Sequence, residues 1–171
     1  MQLRKFRARR GFRTHHLAAF PVAYIEPMWR ELIAKFYPDH EFRPGASEEQ
    51  LTVAEARLGV ALPAVIRDLL RDTNGAFGEY SLGLVWPLER IVKDNLEFRS
   101  FPDFRDLYMP FDPLLFFGDA GNGDQFAFVI LDGVVQRPDV FVWNHEDDSR
   151  TWVAPDLERY FEWWADGRIK T

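Results

Sequence analysis

From Trp29 onward the hydrophobic positions recur at helical spacing. Trp29, Leu32, Ile33 and Phe36 share one face, and Pro38 stops the run. Pro44-Gly45-Ala46 then leads to Ser47, with Gln50 three residues on, which is the spacing of a capping box. Leu51, Ala54, Ala56 and Leu58 carry this second helix forward and Gly59 ends it. Pro63 stands where a first-turn proline belongs, with Val65, Ile66, Leu69 and Leu70 behind it, and Asn74-Gly75 closes the third helix. A fourth helical pattern, Leu88, Ile91, Val92 and Asn95, follows Trp86-Pro87.

The period then changes. Leu114 to Phe117 and Gln125 to Leu131 read as strands on either side of Gly118-Asp119-Ala120-Gly121-Asn122-Gly123-Asp124. Within the second strand, Phe126, Phe128 and Ile130 alternate with Ala127, Val129 and Leu131, so both faces are apolar and the strand belongs in the middle of a sheet. Asp139 to Trp143 and Arg150 to Val153 form two more, joined by Asn144-His145-Glu146-Asp147-Asp148-Ser149. These connections are too short for helical crossovers, which predicts a largely antiparallel sheet of about four to six strands. Pro155, Leu157, Tyr160, Phe161 and Trp164 mark a closing helix that Gly167 ends. The expected class is α+β: N-terminal helices, an antiparallel meander, then a C-terminal helix.

Composition narrows the picture. At 171 residues the chain has the length of one ordinary domain, and 47 % hydrophobic residues exclude a disordered, collagen-like or coiled-coil protein. With no cysteine there is no disulfide scaffold, no thiolate metal site and no thiol nucleophile, which fits a reducing, cytoplasmic compartment. No apolar run approaches the roughly 18 residues of a membrane-spanning helix.

Charge divides the chain. Arg4, Lys5, Arg7, Arg9, Arg10 and Arg13 precede any acid, and Glu26 is the first. The rest holds fifteen of the 21 bases against all 27 acids, a net of −12. Residues 1–27 therefore read as a basic arm and residues 28–171 as an acidic domain, which would attract basic protein surfaces and repel nucleic acid and anionic lipid. The arm reads best as a solvated leader, translated from upstream of a start at Met28. Ala8-Arg9-Arg10-Gly11-Phe12-Arg13 loosely resembles a twin-arginine signal, but the apolar stretch that follows is short and contains Pro21. A phosphate-binding arm is the third possibility.

Several segments recur together in one family. Pro44-Gly45-Ala46-Ser47-Glu48-Glu49-Gln50-Leu51, Ala54-Glu55, Leu58 to Pro63 and Thr73-Asn74-Gly75 resemble the SUKH superfamily, specifically the branch named for the yeast Smi/Knr cell-wall regulator. Trp86-Pro87-Leu88, the Gly121 to Asp124 turn, Val142-Trp143-Asn144-His145-Glu146 and Pro155 to Phe161 follow in the same order, so the resemblance covers about Met28 to Trp164. It implies an α+β domain that binds other proteins and has no catalytic residues. In bacteria such domains commonly act as immunity proteins that neutralise a toxin, often a nuclease, encoded beside them; a fungal relative is a signalling scaffold.

Two polar clusters carry candidate chemistry. Asp119, Asn122 and Asp124 lack the alternate spacing of a calcium loop, and the glycines around them lack the Lys-Ser/Thr of a phosphate loop, so a hairpin turn fits better. His145, Glu146, Asp147, Asp148 and Ser149 are neighbours in one short loop, which seldom converge as a triad; a solvated acidic turn, or a rim facing a basic partner, is expected instead. No cofactor or metal is expected. Trp152, Tyr160, Phe161 and Trp164 are assigned to the core and Trp163 to an exposed anchor, while the aromatic stretch from Phe98 to Phe111 serves either as a cap on the core or as a binding edge. The expected partner-binding set is Asp119, Asn122, Asp124, His145, Glu146, Asp147 and Asp148, with Tyr80 and Trp163 as further anchors, facing a basic toxin domain. A scaffold without a toxin is the alternative, and a hydrolase built on the acidic loop around His145 is the remote one.

Overall fold

The computed structural model describes residues 29–171; the basic arm expected over residues 1–27 lies outside them. In chain order the elements are α1 (Trp29–Phe36), α2 (Glu48–Leu58), α3 (Ala64–Asp72), β1 (Ala76–Phe77), β2 (Gly83–Val85), α4 (Leu88–Ser100), α5 (Pro102–Leu107), β3 (Leu114–Asp119), β4 (Gln125–Val129), β5 (Val140–Trp143), β6 (Arg150–Ala154) and α6 (Leu157–Ala165). This is the expected α+β order with its closing helix.

Local chemistry accounts for most of the boundaries. The Ser47 hydroxyl accepts from the Gln50 N–H while the Gln50 side chain accepts from the Ser47 N–H, so both halves of the capping box are present. Gly59 closes α2 in the left-handed conformation, its N–H donating to the Glu55 carbonyl. Pro63 sits one position earlier than expected, as the residue preceding α3, where its missing N–H is not needed. α3 ends at Asp72 with Thr73 as its C-cap, slightly before the expected Asn74-Gly75, and Asn74 instead serves α4: its Oδ1 accepts from the Leu88 N–H at 2.8 Å and satisfies one of the free donors of that helix.

The main sheet has strand order β3-β4-β5-β6, antiparallel throughout, and β1 and β2 form a separate two-stranded ribbon. Phe116 pairs with Ala127 and Gly118 with Phe126, so Phe117 forms a bulge. Phe126 and Phe128 share one face of β4. Phe126 packs edge-on to Tyr160 (4.8 Å) and Trp164 (5.1 Å) of α6. The opposite face carries Phe116, which meets Phe98 of α4 at 4.8 Å and Phe111 at 5.5 Å. The strand read as apolar on both faces is therefore covered on both.

Four features depart from the sequence pattern. β1 and β2 are too short to show a period. The edge of β3 holds β2 in place through Trp86, whose N–H donates to the Phe117 carbonyl at 2.7 Å, and Gly118 permits the approach, since a Cβ there would lie 2.2 Å from the Leu84 carbonyl oxygen. The stretch from Phe98 to Phe111 spans the end of α4 and all of α5. Its side chains split between roles: Phe98, Phe104, Tyr108 and Phe111 pack into the cluster around Trp143, whereas Phe101, Leu107 and Met109 are exposed. Trp152 is not core. It lies on β6, the edge strand, 46 % exposed, with its indole N–H on Asp139. Ala56 likewise faces solvent rather than the buried side of α2.

One buried polar residue ties the helical half to the sheet. Asn95 is fully enclosed on α4; its amide donates to the Phe116 carbonyl (2.7 Å) and accepts from the Phe116 N–H (2.9 Å), completing the hydrogen bonding of β3 where no strand does so. Asn95→Ala leaves both Phe116 groups unpaired in the core. It should lower the unfolding free energy by about 3 kcal/mol, read as a drop in urea midpoint.

Candidate functional site

The β3–β4 and β5–β6 turns meet at one end of the main sheet and are joined there by a buried carboxylate. Asp124 is 1 % exposed. Its Oδ1 accepts from the His145 backbone N–H at 3.0 Å and lies 2.7 Å from the His145 ring Nδ1, while its Oδ2 accepts from the Asn122 amide at 2.9 Å. Asn122 Oδ1 accepts in turn from the Asp124 N–H, which folds the glycine-rich turn back on itself. Gly123 is required here, because it holds φ +109° and a Cβ would fall 2.9 Å from the His145 ring. Burial alone would raise the Asp124 carboxyl, but the His145 and Asn122 donors outweigh it and hold the group below its usual range.

The second turn is organised the same way. Asn144 Oδ1 accepts from the N–H groups of Glu146 (2.8 Å) and Asp147 (3.3 Å). Asp147 accepts from the Ser149 N–H at 2.9 Å, and hydrogen bonding with Ser149 lowers its pKa. Asp148 turns inward at φ 60°; its carboxylate accepts from the Trp143 indole (2.8 Å) and the Met109 N–H (2.7 Å), with Arg150 at 3.5 Å. The Tyr108 hydroxyl donates to the His145 carbonyl, so the aromatic stretch after α4 is anchored to this loop.

The structure thus divides the expected set. Asp119 lies at the end of β3, and the Arg90 guanidinium grips its carboxylate with two bonds of 2.7 and 2.9 Å. Asp119, Asp124 and Asp148 are all committed to internal partners. Glu146 and Asp147 expose their carboxylates, and the His145 side chain is 39 % exposed. Tyr80 is 100 % exposed on the short turn Glu79–Ser81 between β1 and β2. Trp163 is half-buried on α6, its ring against Trp152 and beneath Arg168, apart from the two turns.

A carboxylate orienting a histidine is the pairing a general base uses. Among the described residues, however, no hydroxyl hydrogen-bonds the His145 ring, and no group of three or more metal-ligating side chains is present. Nor is any helix among them long and apolar enough to cross a membrane.

Sequence reasoning passed over a cleft of about 550 Å³ between the α1–α2 connection and the β1–β2 turn. It is lined by Tyr37, His40, Phe42, Arg43, Phe77 and Glu79, among others. The available signal was aromatic density in a loop bounded by prolines, from Phe36 to Pro44.

Residues 48–161 match the SUKH_6 family model, described as SMI1-KNR4 cell-wall, and the chain belongs to that family. No curated protein matches it. The matched span runs from the first residue of α2 through Phe161 of α6 and includes both turns of the candidate site.

Because the folded-state pKa of Asp124 is depressed, its contribution to stability is complete above the unfolded carboxylate value of about 4 and is lost as pH falls below it. Asp124→Asn should be about 2 kcal/mol less stable at pH 7, and its unfolding midpoint should change less than the parent's on acidification. Chemical denaturation at a series of pH values checks both.

Proposed function

We propose that this chain is a non-enzymatic, cytoplasmic protein-binding domain of the immunity type, which binds and neutralises a cognate basic toxin domain with nuclease activity. The family match over residues 48–161 carries the proposal. The acidic excess beyond the arm supports a basic partner, since it would steer a cationic surface toward the domain. Tyr80 supports a defined contact. Both Tyr80 and Ser81 hold positive φ, a conformation that costs roughly 1–3 kcal/mol per residue, and no internal packing of the Tyr80 ring repays it. An aromatic ring held wholly in solvent is a common interface anchor.

In this proposal the contact surface comprises Tyr80, Glu146 and Asp147, with His145 beside them. Asn122, Asp119, Asp124 and Asp148 shape the turns from within, and Trp163 is a separate contact. In this reading the partner-binding domain is residues 28–171. The family description favours a second role, a regulatory scaffold of the Smi/Knr type without a toxin.

The deciding experiment is co-expression with the toxin domain encoded next to this gene. Rescue of growth and a purifiable complex support the immunity role; a neighbouring toxin that still kills, or a locus without one, points to the scaffold. In the complex, Tyr80→Ala should weaken binding about tenfold or more. The double change Glu146→Lys with Asp147→Lys should slow association and flatten its dependence on salt, as read by surface plasmon resonance.

A further inference from the structure

The cleft beside the β1–β2 turn contains polar atoms that the fold leaves unused. Among the described residues, the Tyr37 hydroxyl and His40 Nε2 are both shielded from water without a hydrogen-bond partner. Buried polar atoms are almost always paired, so two orphans in one cleft indicate a missing occupant. The His40 ring lies 4.6 Å edge-on from Phe42 and stacks 6.1 Å from Phe77. Burial holds His40 below its usual pKa, so the ring is neutral at pH 7. A neutral imidazole keeps one nitrogen as an acceptor, and Nε2 is the ring nitrogen buried without a partner among the described residues. Burial, with the charge of Glu79, pushes the Tyr37 hydroxyl up to about 12, so it stays protonated.

The surrounding charge has one sign in excess. Asp39, Glu41 and Glu79 line the cleft against the single guanidinium of Arg43, and none of the three acids forms an ion pair among the described residues. The walls are aromatic: Phe36, Tyr37, Phe42 and Phe77. Cations of this chain already lie over three of these rings, Arg43 over Phe77 at 4.4 Å, Arg30 over Phe42 at 5.3 Å and Lys35 over Phe36 at 5.1 Å, so the walls accept cations and an incoming one must use the cleft-facing edges that remain. An occupant must therefore bring several N–H donors, a positive charge and a flat face. The arginine side chain has all three, whereas the lysine ammonium lacks the flat face.

We propose that this cleft receives an arginine side chain from a protein partner, with His40 Nε2 and the Tyr37 hydroxyl accepting its N–H groups and Glu41 and Glu79 balancing its charge. Tyr80, one residue beyond Glu79, would lie against the partner surface beside the inserted side chain. Only the source of the arginine rests on the protein-binding function proposed above; the recognition chemistry does not depend on the partner being a toxin.

The probe is N-acetyl-arginine amide, titrated into the full chain while the ring signals of His40 and Tyr37 are followed by NMR. The expected result is a saturable shift of both rings at millimolar probe, with N-acetyl-lysine amide weaker and the neutral citrulline analogue without effect. The double change Glu41→Gln with Glu79→Gln, both at exposed positions, should weaken binding about fivefold. No saturable shift at His40 or Tyr37, or citrulline binding as well as arginine, overturns the proposal. A negative co-expression result with a positive titration would remove the toxin but keep the arginine cleft, and the reverse pair of results would do the opposite.

Discussion

Phe126 and Phe128 occupy one face of β4 and Ala127 the other, and all three are sealed from water. A sheet with two apolar faces must be covered twice, and each large side chain enclosed in this way stabilises the fold by about 1.5–3 kcal/mol. The helices are placed to satisfy that requirement. α6 returns after the last strand to cover the Phe126 face with Tyr160 and Trp164, and α4 presents Phe98 to the Phe116 face. Asn95 then fixes α4 to the bulged strand through the Phe116 backbone, a contact that also specifies the register. With both faces occupied, the ends of the sheet and the small β1–β2 ribbon remain as places where loops can meet a partner.

At the end of the sheet most of the acidity is structural. Asp119 neutralises Arg90, Asp148 closes the β5–β6 turn against Trp143, and Asp124 joins the two turns through His145. A carboxylate with several donors around it is a rigid element rather than a free charge. The exposed charge that remains, on Glu146 and Asp147, is presented by a loop whose backbone is held by Asn144 and Ser149. A preorganised loop of this kind loses little conformational freedom on association.

The domain thus offers two kinds of recognition chemistry. One is long-range and nonspecific, the acidic excess of the body. The other is local, a solvent-held tyrosine beside a cleft in which the buried Tyr37 hydroxyl and His40 Nε2 have no hydrogen-bond partner among the described residues. The family match is what links both to the protein-binding role proposed above. Short-range selection of this type discriminates between partners that the overall charge alone would attract equally.

Five of the six helices, the antiparallel main sheet and the two-faced central strand were legible in the chain itself. Caps such as Ser47–Gln50, stops such as Gly59 and the alternation through Phe126 and Phe128 act within a few residues of one another. The candidate turns were legible as loops for the same reason. What each carboxylate does was not, because Asp119, Asp124 and Asp148 find partners at Arg90, His145 and Met109, which are remote in sequence and adjacent only after folding. β1 and β2 were invisible because two or three residues carry no period. Trp152 was misplaced because its exposure depends on β6 being an edge strand. The cleft around Tyr37 and His40 depends on a loop between helices meeting a turn between strands. Sequence determined most of the elements, since their causes are local; tertiary structure alone decided which polar groups are satisfied internally and which stay exposed, since that depends on distances folding creates.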